Sequence, residues 1–297
     1  MRVCTFYESR LGRNDGPPLY WTNAMKKMGI NVNHMSSENL PKDKTDFHLW
    51  VDWGEDGLTG LLPYKPIDVS SLNNTIYIAS DTHLGFEYRV KKAEQFSRVF
   101  VNQKEAVMQF SERGVVAEWL PHAVEPSVYS NKPMCIKKYD VCFVGFVGFI
   151  KRAKFLDKVF REFSNFYYGQ HFFEPAAEIY RQSRIVLNTS ATDDINMRFF
   201  EGWATGSFTL SECVPSLVDL RLPVDVEMIT YRDAADANDK IKYLISSIEG
   251  MIQRQDIINK MQEWILKYHT YQCRVKWAFG LKEEDVKSGK ADCATVS

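Results

Sequence analysis

The stretch DVCFVGFVGFIKRAKFLDKVFREF, residues 140–163, decides how this chain is organised. It opens as an apolar run of strand length and turns, from Ile150, into an amphipathic helix. The period of the pattern thus changes from that of a buried strand to that of a helix with one wet face. Just ahead lies a polar break, EPSVYSNKPMCIKKY (125–139), with two prolines and three lysines. A strand and helix that restart after such a break mark the beginning of a second α/β unit.

The pattern before the break is of the same kind. MRVCTFY reads as a strand, ESRLGRNDGPPLY as a loop, and LYWTNAMKKMG as a helix stopping at Gly29. INVNHMS, DFHLWVDW and TIYIAS read as strands, KKAEQFSRVFVNQKEAVMQFSERG (91–114) as helical material, and VVAEWLPHAV as a return to strand. After residue 163 come strand NFYYG, helix EPAAEIYRQS, strand RIVLNTS, helix NMRFFEGWAT and strand SFTLSE, and the chain closes in helices. This alternation predicts an α/β fold of two Rossmann-like units with parallel sheets. Ligands in such folds bind beyond the carboxyl ends of the strands.

The 297 residues, 45% hydrophobic and 25% charged, exclude a disordered chain. With 37 basic and 38 acidic residues the net charge is -1, so no overall field draws the protein to nucleic acid or to an anionic membrane. No apolar run reaches the roughly 18–20 residues that a membrane helix needs. The opening MRVCTFYESR is too polar for a secretory leader. A cytoplasmic protein without stable membrane insertion is expected. The 6 cysteines (Cys4, Cys135, Cys142, Cys213, Cys273, Cys293) form no C-x-x-C pair and no zinc-like spacing, so most are expected as reduced thiols, with no disulfide framework and no metal site.

Chemistry concentrates in RIVLNTSATDDINMRFFEGWATG (184–206). A strand ends near Asn188, and a helix begins near Asp194 or Asn196, both N-cap residue types. Backbone N–H groups and the positive end of that helix then meet the strand's carboxyl end, a setting that binds phosphates. Arg198, in the first turn, adds a charge-assisted contact to a diphosphate. Glu201, one turn later, is a carboxylate acceptor suited to ribose hydroxyls. Gly206 permits a left-handed helix end and close approach of a ligand. On spacing alone a second reading stays open, a capped surface helix with a solvated Arg198–Glu201 pair.

The run NMRFFEGWATGSFTLSECVPSL (196–217) resembles the C-terminal signature of the CgeB-like glycosyltransferases, relatives of the group 1 glycosyltransferases. The resemblance is carried by Arg198, Phe200, Glu201, Ala204, Gly206, Pro215 and Leu217. Segments 81–129, 139–148 and 268–279 fit the same family in the same order, while the first 77 residues match only in rhythm. The resemblance implies a GT-B fold, with an acceptor-side domain over 1–130 and a nucleotide-sugar domain over 131–265. Helices within 266–297 then cross back to the first domain. Related retaining enzymes carry Glu-x7-Glu, with the second Glu on the ribose and the first near the transferred sugar. This chain reads Asp193-x7-Glu201, a shorter carboxylate at the first position.

The same resemblance implies that Lys151, Arg152 and Lys154 neutralise the donor diphosphate, with Arg152 fitting best; the alternative is a solvated helix face with Lys158 and Arg161. Asp81 and His83, in ASDTHLG, follow a strand and would position sugar or acceptor, against a packing or capping role for the histidine. Asp15, between Gly12 and Gly16, would orient an acceptor hydroxyl, against an ordinary surface turn; its loop lacks G-x-G-x-x-G. His122 and Glu125 read as linking residues and His269 as a packing residue. No Asp-x-Asp motif is present, so metal independence is expected.

The implied activity is transfer of a sugar from a nucleotide diphosphate donor, a UDP-sugar, to a hydroxyl acceptor with retention, and with no cofactor beyond the donor. The acceptor stays open among a glycan, a protein, a small molecule and a hydroxymethylated pyrimidine in DNA. Beside this stand an epimerase or hydrolase on the same fold and a non-catalytic sugar-nucleotide-binding protein.

Overall fold

The computed structural model describes residues 1–6, 16–35, 45–52, 69–130, 133, 135–190, 192 and 194–282. The chain divides into two compact units, one built from Met1–Pro121 with the segment that starts at Tyr271, the other spanning His122–Thr270.

The first unit contains β1 (Arg2–Phe6), α1 (Pro17–Lys27), β2 (Asn31–Met35), β3 (Phe47–Asp52), β4 (Thr75–Ala79), α2 (Phe86–Ala93), β5 (Arg98–Val101), α3 (Glu105–Ser111) and β6 (Glu118–Trp119). Its six strands are parallel in the order β2-β1-β3-β4-β5-β6. Pro17 and Pro18 start α1, where a missing N–H costs nothing, and Gly29 (φ 72) turns the chain out of it. Residues 91–114 are not one helical stretch: Arg98–Val101 is a strand between the end of α2 and α3. Val99, Phe100 and Val101 are buried in the sheet, and the charged residues on either side gave the run its helix-like polarity.

The second unit contains α4 (Pro126–Tyr129), β7 (Tyr139–Val144), α5 (Ile150–Phe160), β8 (Phe166–Gly169), α6 (Phe173–Arg181), β9 (Ser183–Asn188), α7 (Met197–Ala204) and β10 (Phe208–Glu212). A 3₁₀ turn (Pro215–Leu220), α8 (Val226–Ile229), β11 (Thr230–Tyr231), α9 (Ala234–Ser246) and α10 (Ile248–Tyr268) complete it. Its parallel sheet runs β11-β10-β9-β7-β8. In both sheets the second strand lies outside the first and the later strands lie on its other side. The order therefore reverses between β1 and β3 and again between β7 and β9, which opens a crevice at the strands' carboxyl ends.

The division falls at 121/122 and 270/271, where 130/131 and 265/266 were expected. Packing explains the shift. Val128 and Tyr129 of α4 are buried, Tyr129 stacks on Tyr180 of α6 (centroids 6.3 Å), and α4 thus joins the second unit. At the far end α10 stays with the second unit, where Gln262 Nε2 donates to Ala204 O at 2.8 Å. The return is made by α11 (Tyr271–Phe279) alone, with Tyr271 against Tyr20 and Trp21 and Arg98 Nη1 donating to Ala278 O at 2.8 Å.

Helix α7 lies close on the second sheet. Phe199, Phe200, Trp203 and Ala204 are buried, and Gly202 is needed because a side chain there would collide with Thr209 and Val186 of the strands beneath. That close seat carries the start of α7 to the carboxyl end of β9. Among the described residues no helix is long and apolar enough to cross a membrane. Cys4, Cys135, Cys142 and Cys213 are free thiols, while Cys273 is disulfide-bonded.

Candidate functional site

Two arginines meet where the strand order of the second sheet reverses. Arg198, from the first turn of α7, donates through Nε to Val144 O at 2.7 Å and through Nη1 to Asn188 Oδ1 at 3.0 Å. It thereby bridges the last residues of β7 and β9. Arg152, from the first turn of α5, donates through Nη1 to Phe146 O at 2.6 Å and through Nη2 to Thr189 O at 3.1 Å, straddling the same two strands one residue or more further on. Both guanidiniums face the Phe143 ring, at 4.4 Å for Arg198 and 5.8 Å for Arg152.

These partners are neutral carbonyls and an amide, so neither charge is cancelled by them. Burial pushes Arg152 down to about 10, and the neighbouring Arg198 cation is the next largest contribution. Its Nε is buried without a partner. Two cations drawn together and partly desolvated are the arrangement that a dianion stabilises most. The start of α7 adds to this field: Asn196 stands at the N-cap in extended conformation, yet its side chain makes no capping bond and its Oδ1 is buried and unpartnered.

Gly145 makes the crevice possible. Its φ is 154, and a Cβ built there would overlap Arg198 Nη2. Gly145→Ala is expected to leave the fold intact while displacing the guanidinium, weakening nucleoside-diphosphate affinity by about tenfold, about 1.4 kcal/mol. Calorimetry with UDP checks this, and unchanged affinity would show that Arg198 is not where the anion sits.

Glu201 lies on the inner side of α7, 7% exposed. Burial lifts its carboxyl to about 7, opposed by a hydrogen bond with Tyr129 and by the Arg198 charge. The carboxylate, Arg198 and the Arg152 pocket therefore form one connected polar site. Around it, Glu212 accepts from Thr189 Oγ1 (3.2 Å) and Ser190 N (3.1 Å), and Ser190 Oγ donates to Asp194 Oδ1 at 2.5 Å, which ties Asp194 to the end of β9.

The structure thus brings together Arg152, Asn196, Arg198 and Glu201. Lys151 stands at the rim, mostly exposed, in an ion pair with Glu212 at 2.8 Å. Gly206 is placed elsewhere: it ends α7 with φ 74 at the amino-terminal side of β10, next to Gln262, and its conformation is explained by helix termination. Asp81, with φ 47, and the exposed His83 lie in the other unit, after β4. Asp15 and Asp193 lie outside the described residues. The sequence reading missed Gly145, Asn188, Glu212 and Tyr129. The available signal was a glycine or polar residue closing an apolar strand, as in CFVG, IVLN and TLSE.

Residues 150–278 match a family model described as glycosyl transferase-like. This segment, less than half of the chain, is similar to a glycosyl transferase module. The match supports the group 1 glycosyltransferase part of the resemblance and does not single out the CgeB-like branch. The module contains Arg152, Arg198 and Glu201, whereas Gly145 lies just ahead of it. A comparison with curated proteins finds no match. Among solved structures, a DNA-modifying β-glucosyltransferase is similar over 95% of this chain and 100% of its own, at 15% identity and TM-score 0.59. T4 phage BGT in complex with UDP-glucose aligns over 94% and 99%, at 13% identity and TM-score 0.58. Sucrose-phosphate synthase from Thermosynechococcus elongatus aligns over 94% and 98%, at 10% identity and TM-score 0.60. At these identities the likeness speaks to the fold, which is GT-B.

Proposed function

We propose that this protein is a glycosyltransferase that moves a sugar from a nucleotide diphosphate donor, a UDP-sugar, to a hydroxyl acceptor. The observation that carries the reading is the Arg152–Arg198 pair, held by main-chain carbonyls at the β7/β9 crevice inside the glycosyl transferase-like module. As the sugar–oxygen bond breaks, negative charge grows on the leaving diphosphate, and two preset guanidiniums stabilise it without reorganising. Glu201 accepts hydrogen bonds from the ribose. Retention follows from the group 1 resemblance and is read from the anomeric configuration of the product. The proposal includes a cytoplasmic location, which rests on four free thiols among the described residues against the one disulfide-bonded Cys273.

A panel of nucleotide sugars scored by thermal stabilisation tests the donor. At 100 times the dissociation constant a ligand adds about 2.7 kcal/mol. The UDP-sugars are expected to stand apart, and a flat panel sinks the proposal. Because the arginines supply the positive charge that a divalent ion otherwise brings, the shift is expected to survive EDTA; a shift that vanishes with chelator and returns with Mg²⁺ or Mn²⁺ overturns metal independence.

The end-to-end similarity to a DNA-modifying enzyme favours one specific second reading, in which the acceptor is a hydroxymethylated pyrimidine in DNA. Release of UDP on adding hydroxymethylcytosine-containing duplex, and not on adding unmodified duplex, decides for it. Donor binding without release of UDP in any acceptor screen decides for the non-catalytic reading.

A further inference from the structure

The carboxyl end of β7 carries apolar surface that the polar site does not use. Phe146 is 57% exposed and Phe149 39%, both in the loop between β7 and α5. Their rings meet edge to face, with centroids 6.1 Å apart and planes at 84°. The pair is built into the backbone. The Phe146 ring lies over Gly148, where a Cβ would overlap it, and Phe146 O accepts from Arg152 Nη1 at 2.6 Å. The Arg152 guanidinium stands 5.4 Å from the centre of the Phe149 ring. The arginine that faces the diphosphate therefore also holds the loop that presents the rings.

The order of groups around the crevice gives the rings their meaning. Glu201 is coupled to Arg198, Arg198 lies against Gly145, and Arg152 reaches from Thr189 to Phe146 and Phe149. A diphosphate shared by the two guanidiniums with its ribose at Glu201 must send its other substituent out on the Arg152 side. Resting on the donor reading above, we infer that Phe146 and Phe149 receive the transferred sugar, and that this sugar is a neutral hexose packed on the rings through its C–H face. Aromatic rings favour a partner with polarised C–H groups and no charge to desolvate. Of the two cations at the start of α5, Arg152, beside the Phe149 ring, faces the diphosphate in the donor reading and Lys151 is paired with Glu212, so neither is left to an acidic sugar.

The test measures UDP and UDP-glucose affinities side by side in the wild-type protein, in a Phe146→Ser/Phe149→Ser double variant, and in Gly148→Ala, which shifts the Phe146 ring without removing it. Both rings are exposed, so the double variant is expected to fold, and circular dichroism checks this. The expected result is UDP affinity within twofold of wild type in both variants, with UDP-glucose affinity lowered at least fivefold in the double variant and less in Gly148→Ala. Equal losses for the two ligands place the rings at the nucleotide end and overturn the assignment. Unchanged affinity for both, or a change confined to the KM for the acceptor, overturns it as well. Failure of the wild-type protein to bind UDP sinks the donor reading itself and the inference with it.

Discussion

Replacing Arg198 by Ala is expected to lower kcat/KM for a nucleotide sugar by about 10²–10³, the loss typical of one preorganised donor aimed at developing charge. Arg198 is the better placed of the two cations for this role, since its Nε and Nη1 are fixed by Val144 O and Asn188 Oδ1 and its Nη2 lies against Gly145, where no side chain intervenes. The same substitution leaves a main-chain carbonyl and an amide without donors, so stability is expected to fall by about 1–3 kcal/mol. Arg198→Lys is not expected to rescue activity, because a single ammonium cannot bond to both strand ends and to a diphosphate. Single-turnover release of UDP separates these effects from folding. A wild-type rate in Arg198→Ala removes the arginine from the mechanism. Arg152→Ala is expected to lose a similar factor, and the double variant less than the product of the two, since the residues act on one anion.

Much of this site was legible before the structure. Arg198 and Glu201 sit at helical spacing behind a strand end, and that spacing alone sets both on one side of α7 beside the crevice. Their meaning was not legible: the same spacing describes a solvated surface pair, and what separates the readings is burial, which depends on α7 lying tight on β9 and β10 through Gly202. Gly206 shows the opposite case. Its residue type fits both ligand approach and helix termination, and only the direction of α7 across the sheet puts it at the amino-terminal side of β10, beside Gln262. Strand β5 was hidden because three buried residues between charged neighbours carry too little periodicity to outweigh a helical surrounding. The two-unit α/β organisation was readable because it is repeated many times along the chain. The boundary was not, because α4 is tied to the second unit by the ring contact of Tyr129 with Tyr180, a long-range pairing with no local signature.

Glu201→Gln is expected to make the protein more stable and a poorer binder at once. Burial raises the Glu201 carboxyl from 4.5 to about 7, so the folded state holds this proton more tightly than the unfolded chain does. Below pH 4.5 both states are protonated and the group contributes nothing to pH dependence. Between about 4.5 and 7 the unfolded chain gives up the proton first, so stability falls as pH rises, and above about 7 the loss is complete. Glutamine keeps an acceptor for Tyr129 and carries no charge to desolvate. The gain in stability of Glu201→Gln over wild type should therefore be near zero at pH 4.5 and grow to a plateau above pH 7, on the order of 3 kcal/mol at most. Nucleotide binding should move the other way. A carboxylate accepts from both ribose hydroxyls, and an amide replaces one of those acceptors by a donor, so UDP affinity is expected to fall about 10–100-fold at pH 8, equivalent to about 1.5–3 kcal/mol. Wild-type affinity should itself rise as pH passes through about 7 and the carboxyl ionises, a dependence that Glu201→Gln abolishes. Melting temperatures and UDP titrations across pH 5–8 read both trends, and a variant that gains stability without losing affinity would leave Glu201 as a buried structural carboxyl with no place on the ribose.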